Sequence, residues 1–391
     1  LYIDRPFRGI PSQFLTKEIN MKFSIQSADL QKVLSIISGV IPSKSTLPIL
    51  ENFLFEIGES LLTMTATDLD ISMSISLKVK ATESGKIVVP AKRLIETVRS
   101  LPNTEVIFSI DLGSNKITMT TQNGEYKLTG ESSDNYPTLA KFKLTDEVAV
   151  GNEVFRRIVN KTSFAVSSDE LRPAMMGVLF QIKKNEIRAA ATDGHRLVRI
   201  INTVFSDSKF ERDIVVPAKA LNLAVRSFEG NECSISLSDS HIRFTLGDVT
   251  LMSRLIEEKY PNYESVIPVD NEKKLVVNKN ELLSSVKRTA LYASSTTHQV
   301  RFSLKKNSVT VSAEDIDFGS EANETLACDY TADPMEIGFN AAYILDVLSH
   351  IDTDEVMMMF STPTRAGIVK PTTQQKDESV LMLVMPVRLN S

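Results

Sequence analysis

The sequence predicts an α+β protein of three repeated, sheet-rich domains, each with two helices laid on one side of its strands. Two observations carry that expectation: short markers that recur in a fixed order, and a polar–apolar alternation between them. Ala66-Thr67-Asp68 returns as Ala191-Thr192-Asp193 and, altered, as Ala313-Glu314-Asp315. Val89-Pro90-Ala91-Lys92 returns as Val216-Pro217-Ala218-Lys219, with Phe339-Asn340-Ala341-Ala342 in the third place. Asn135-Tyr136-Pro137 is matched by Lys259-Tyr260-Pro261. The copies are offset by 122 to 127 residues, far above the ~20–50 residues of a solenoid repeat, so each is expected to be a domain with its own core. The domains are expected at 21–143, 144–269 and 270–391.

Residues 1–20 stand outside the period. Pro6, Gly9 and Pro11 interrupt them, they carry no signal-peptide apolar run, and Met21-Lys22-Phe23 reads as a start. A poorly ordered leader is expected there. The first helix of each repeat is expected at 27–38, 152–165 and 279–292, and the second at 91–100, 217–227 and 340–350. Pro90 and Pro217 suit a helix start, where a missing N–H costs nothing. In 152–165, Val154, Phe155, Ile158, Val159 and Thr162 share one helical face, with Arg156, Arg157 and Lys161 on the other. Lys116–Thr120, Ser234–Leu237 and Ser308–Val311 alternate polar with apolar residues, the period of half-buried antiparallel strands. Turn residues at 112–115, 122–125 and 305–307 divide the strands into hairpins.

Composition narrows the function. No run approaches the ~18 apolar residues of a membrane span. Cys233 and Cys328 lie in different repeats without a CxxC or neighbouring histidines, so neither a disulfide framework nor a metal site is expected. Phosphate-loop, dinucleotide, nucleophile-elbow and zinc-protease motifs are absent, and no cofactor is expected. Of the four histidines, His195 follows Asp193-Gly194 and is the one that suggests a base. Thr192-Asp193-Gly194 reads better as a turn closed by side-chain-to-backbone bonds.

Charge is unevenly distributed. The chain carries a net −5, yet the six helical windows sum to +7 and leave −12 elsewhere. A basic surface gathered on equivalent helices of an acidic protein points to phosphate contact. No base-reading motif accompanies it, so the contact is expected to ignore sequence. Two competing classes stay open on the residues alone. An interaction scaffold would bind an acidic protein through the same basic helices, and an enzyme built on Asp193 and His195 would lose turnover on His195→Ala.

The three-domain period, Ala191-Thr192-Asp193-Gly194-His195-Arg196-Leu197, Thr46-Leu47-Pro48-Ile49-Leu50 and the terminal Val384-Met385-Pro386-Val387-Arg388-Leu389 together resemble the bacterial DNA polymerase III beta subunit family of replicative sliding clamps. The resemblance runs from Met21 to Leu389. It implies a cytoplasmic homodimer of the DNA-clamp fold, closed head to tail around double-stranded DNA, that tethers the polymerase without catalysing anything. Twelve helices at about 8–10 Å spacing would line a hole roughly 35 Å across.

By family position Lys44, Lys92, Arg93, Arg157, Lys161 and Lys219 are expected to face DNA, and by helix placement Arg99, Arg226, Lys287 and Arg288. The third repeat, with Asn340-Ala341-Ala342 and Asp346, is expected to contact DNA least. The resemblance also implies a groove for short peptide motifs of the polymerase catalytic subunit, an ATP-dependent clamp loader and repair proteins. Its expected residues are Met175, Thr192, Gly194, His195, Arg196, Leu197, Pro261, Val266, Leu383, Met385, Pro386 and Arg388, with Ser265 where relatives often carry a basic residue. Methionine and leucine around proline make an adaptable apolar pocket. Ring closure is expected to bring Tyr126 and Leu128 against Leu291 and Tyr292 of the second subunit.

Overall fold

The structure, a computed structural model, describes residues 20–137, 142–143, 145–203, 210–227 and 232–389. The expected leader lies outside the described residues except for Asn20, which opens the first strand, Asn20–Gln26. The chain divides into two compact units, 1–139 and 140–391, the second of which holds both the second and the third repeat.

Every repeat runs strand, helix, three-stranded meander, strand, helix, three-stranded meander. In the first, Asn20–Gln26 leads into α1 (Ser27–Ile37) and the meander Asn52–Ile57, Leu61–Thr67, Ile71–Lys78. Gly85–Pro90 then leads into α2 (Ala91–Ser100) and the meander Glu105–Asp111, Lys116–Thr120, Glu125–Thr129, with Lys80–Glu83 as an additional edge strand. The second repeat gives Asp146–Gly151, α3 (Asn152–Thr162), Gly177–Lys183, Glu186–Thr192, Arg196–Asn202, Arg212–Pro217, α4 (Ala218–Arg226), Glu232–Leu237, His241–Leu246 and Val249–Arg254. The third gives Lys273–Asn278, α5 (Lys279–Thr289), Gln299–Lys305, Ser308–Asp315, Ser320–Ala327, Met335–Asn340, α6 (Ala341–Ser349), Glu355–Phe360, Gly367–Pro371 and Glu378–Val384. The expected ends of the first helices, 163–165 and 290–292, are separate 3-10 turns.

Each repeat holds two antiparallel ladders with one pairing scheme. The opening strand pairs with the start of the last meander, as in Phe23↔Phe108, Val148↔Ile235 and Leu275↔Met358. The strand before the second helix pairs with the start of the first meander, as in Leu54↔Val88, Leu179↔Val215 and Phe302↔Ile337. Their apolar faces bury a phenylalanine trio in every repeat: Phe23, Phe55 and Phe108; Phe155, Phe180 and Phe244; Phe302, Phe339 and Phe360. The helix pairs α1–α2, α3–α4 and α5–α6 pack together within their own repeats.

The sequence markers now have physical causes. Asp68 Oδ1 accepts the N–H groups of Asp70 and Ile71, Asp193 Oδ1 those of His195 and Arg196, and Asp315 Oδ1 those of Asp317 and Phe318. Thr67 and Thr192 close the same turns by donating to the carbonyls of Ile71 and Arg196. The marker is therefore the cap of a tight turn between two strands. Pro90 and Pro217 are the last residues of their strands and the N-cap residues of α2, which spans the expected 91–100, and of α4, which begins one residue after the expected 217. In the third repeat Asn340 caps α6 with its side chain, accepting the Ala342 N–H at 2.9 Å, so a hydrogen bond replaces proline's preset φ.

The second and third repeats are not separate sheets. Arg196–Asn202 pairs along its length with Glu378–Val384, from Arg196↔Val384 to Asn202↔Glu378, so one nine-stranded sheet runs through both. Glu125–Thr129 ends the five-stranded sheet of the first unit, and Ser320–Ala327 ends a four-stranded sheet of the second.

Candidate partner groove and nucleic-acid face

The joint between the second and third repeats builds a groove. Its floor is apolar because Leu197 and Leu383, directly paired across the joint, are buried together with Ala174, Leu179, Ala190, Val215 and Ala366. Tyr260 and Tyr263 anchor the linker that forms one wall. The Tyr260 hydroxyl accepts the Thr192 N–H at 3.1 Å, and the Tyr263 hydroxyl donates to Gln181 at 2.8 Å. Burial holds both phenols above their ordinary pKa, so they remain neutral anchors. With the tyrosines turned inward, Val266 and Val269 stand outward, 54% and 99% exposed.

Nine of the twelve expected groove residues line this cavity of about 540 Å³: Met175, Thr192, Gly194, Arg196, Leu197, Pro261, Val266, Leu383 and Met385. His195, Pro386 and Arg388 are not in its wall. The His195 ring stacks on Tyr343 at 5.7 Å, and its carbonyl accepts the Met385 N–H at 2.8 Å. The Asp193 carboxylate is occupied by turn N–H groups and by Arg196, which disposes of the pairing an Asp193–His195 catalytic reading would need. Ser265 is at the rim. The wall also includes Ile267, Pro268, Val269 and the 364–366 loop, where Arg365 pairs with Asp270. Val266 and Ile267, apolar residues just before Pro268, were the available sequence signal.

Arg196 fixes the groove to the third repeat. Its guanidinium lies 5.4 Å from the Phe164 ring centre and 5.0 Å from that of Tyr343. It bonds the Phe164 carbonyl at 2.7 Å, Asp193 at 3.2 Å, and Asp346 of α6. A buried guanidinium with this many acceptors is a positioning group, costly to leave unpaired. Asp346, which made the third repeat look poor for DNA, is thus committed to the joint.

The expected DNA-facing cations separate into two groups. Lys44 follows α1, Lys92, Arg93 and Arg99 lie on α2, Lys219 and Arg226 on α4, and Lys287 on α5; all are exposed. Arg288 is also exposed, with a bidentate pair to Glu324 at 2.6 and 2.5 Å. Arg157 and Lys161 correct the expectation that α3 turns them outward. Arg157 Nε and Nη2 grip both oxygens of the buried Glu378 at 2.6 and 2.7 Å, and Nη2 also reaches Asp352 at 2.7 Å. Lys161 is 6% exposed and donates to Asp352 at 2.7 Å and to the His350 carbonyl. Burial lowers the Lys161 pKa while Asp352 opposes that shift, and the Glu378 hydrogen bond raises that of Arg157. Both cations clamp the second repeat to the third.

Arg157→Ala would leave the Glu378 carboxylate, 2% exposed, without its cation. It is expected to cost about 3 kcal/mol of stability in urea unfolding. A loss below about 0.5 kcal/mol, the level of an exposed pair, would contradict the clamp role.

The expected closing residues lie at the two sheet ends. Tyr126 and Leu128 are on Glu125–Thr129, with Tyr126 37% exposed although it faces buried Met119 across the ladder. Leu291 and Tyr292, 82% and 45% exposed, lie in the 3-10 turn that packs on Ser320–Ala327. Among the described residues no group of three or more His, Cys, Asp or Glu could hold a metal, and no helix is long and apolar enough to cross a membrane.

Three family models match the chain in succession: the DNA polymerase III beta subunit N-terminal domain at residues 21–140, the central domain at 149–262 and the C-terminal domain at 264–388. The chain is 30% identical over 372 residues to the beta sliding clamp of Pseudomonas aeruginosa, covering 94% of this chain and 100% of the relative. It is 28% identical over 372 residues to that of Escherichia coli, with 94% and 100% covered. Among solved structures, the sliding clamp (DNA polymerase III subunit beta) from Bartonella birtlesii bound to griselimycin superposes with a TM-score of 0.89 at 27% identity, covering 95% of this chain and 100% of that one. The sliding clamp of Pseudomonas aeruginosa gives 0.85 at 30% identity, with 94% and 100% covered.

Proposed function

The chain belongs to the DNA polymerase III beta subunit family, the beta sliding clamps, and from that premise we propose how its surfaces divide the work of a ring on DNA. It is a replicative sliding clamp, a processivity subunit rather than an enzyme. In this proposal two copies close head to tail around duplex DNA, with Glu125–Thr129 of one meeting Ser320–Ala327 of the other. One observation carries that closure. At the joint inside the chain, the third strand of one repeat's first meander pairs with the last strand of the next repeat's last meander. Ser320–Ala327 and Glu125–Thr129 occupy those same two positions and end their sheets.

Lys92 and Arg99 of α2 and the exposed cations of α4 and α5, with Lys44, line the hole and meet phosphates without reading bases. Loose, water-mediated contacts of that kind hold DNA while allowing movement along it. Arg157 and Lys161 serve the joint instead. The groove takes short apolar peptide segments of the polymerase, a loader and repair proteins, whose side chains fill the floor over Leu197 and Leu383. The protein works in the cytoplasm, where replication proceeds.

Sedimentation over a concentration series tests the ring. A dimer that persists to nanomolar concentration is expected. A monomer at micromolar concentration would overturn the closure.

A further inference from the structure

We propose that the hairpin tip Ile316–Gly319 is an apolar anchor of the ring-closing contact, seated on α2 of a second copy beside its Arg93. This rests on the ring proposed above and adds a surface not assigned there. The joint inside the chain is the template. In it, the turn before Arg196–Asn202 lies against the second helix of the neighbouring repeat, with His195 stacked on Tyr343 and Arg196 bonded to Asp346. The turn before Ser320–Ala327 occupies the equivalent place on the closing edge, and Asp315 caps it as Asp193 caps the other.

The third-repeat turn is enlarged. Residues 316–319 separate Asp315 from the next strand, where only Gly194 and His195 separate Asp193 from Arg196. The larger turn carries Ile316 and Phe318, 81% and 83% exposed. It is held in shape: Asp315 accepts the Asp317 and Phe318 N–H groups at 3.1 and 3.4 Å, Gly319 N–H donates to the Ile316 carbonyl at 3.3 Å, and Gly319 takes φ +62°. Two large apolar side chains held in water at the tip of the closing edge add to the exposed apolar surface of Leu291, in the 3-10 turn that packs on the same hairpin.

The template also names the receiving surface. Tyr343 stands three residues after Asn340, the N-cap of α6. The residue three after Pro90, the N-cap of α2, is Arg93, exposed beside exposed Lys92. A guanidinium suits the face of Phe318, and the two cations complement Asp317 and the neighbouring Glu321. Arg93 therefore serves ring closure, and the α2 contribution to the DNA face falls to Lys92 and Arg99.

Subunit exchange between labelled and unlabelled full-length protein tests the proposal. Ile316→Ser with Phe318→Ser should raise the dimer dissociation constant about 100-fold or more, since two anchors are lost at each of two contacts. Phe318→Ala and Arg93→Ala should be coupled, the double variant being no weaker than the stronger single one. An unchanged constant in the tip variant, while Tyr126→Asp dissociates the dimer, would overturn the anchor and leave the ring standing. Additive effects of Phe318→Ala and Arg93→Ala would overturn the seat on α2. A wild-type monomer at micromolar concentration would overturn the ring itself, and the anchor with it.

Discussion

Tyr126→Asp is expected to convert the dimer to monomers at micromolar concentration while leaving each subunit folded. Tyr126 lies on the last strand of its sheet, 37% exposed and paired across the ladder with buried Met119. Closure would bury the rest of the ring against the second subunit's Leu291 and Tyr292, whose apolar surface is also open in the single chain. An aspartate there places a carboxylate in that apolar contact without a cation, a cost of several kcal/mol at each contact. A closed ring breaks two such contacts at once, so the loss is applied twice. Sedimentation reads the result directly, and unchanged circular dichroism separates dissociation from unfolding. A variant that stays dimeric would place the closing contact elsewhere.

Val266→Asp is expected to weaken peptide binding in the groove about 100-fold without altering stability or dimerisation. Val266 is 54% exposed on the groove wall, so no core packing depends on it. A bound peptide would cover it, and a carboxylate at that position would then be desolvated over an apolar floor. Titration of a fluorescent peptide with two or three large apolar residues measures the change. A loss smaller than threefold would show that ligands avoid this wall.

Much of the fold was legible because its repeated markers are local chemistry. Thr-Asp caps a strand turn and Asn opens a helix, each by bonds within a few residues, whereas the buried Tyr reaches back about 70 positions, Tyr136 to the Thr65 carbonyl and Tyr260 to the Thr192 N–H. The alternation of strands such as Lys116–Thr120 was equally local, because one face packs on the core. What the sequence concealed depends on distant pairings. Nothing near Arg196 announces that its strand will join one beginning at Glu378. Lys161 lay on the polar side of its helix by periodicity, yet its partner Asp352 arrives from 191 residues away and draws it into the joint. A helical wheel sees only the helix's own residues, so a charged face turned toward another repeat looks the same as one turned toward water.

The groove shows the same division. Thr192, Leu197 and Met385 were found through distinctive short blocks, with Leu383 next to the last of them. The wall of Ile267, Pro268 and Val269 and the Arg365 loop come together only because Tyr260, Tyr263 and Asn271 tie the linker down, Asn271 by donating to the carbonyls of Met359 and Ala366 at 2.9 Å. Arg157, Lys161 and Asp346 were read for their charge toward DNA, whereas each is committed to holding the second and third repeats together.

Topological retention is the most direct test of the whole account. Labelled protein loaded onto nicked circular DNA is expected to remain with the circle through gel filtration in moderate salt and to leave when a restriction enzyme linearises it. Retention that is unchanged by linearisation, or that depends on salt alone and not on the presence of ends, would contradict a ring that encircles DNA.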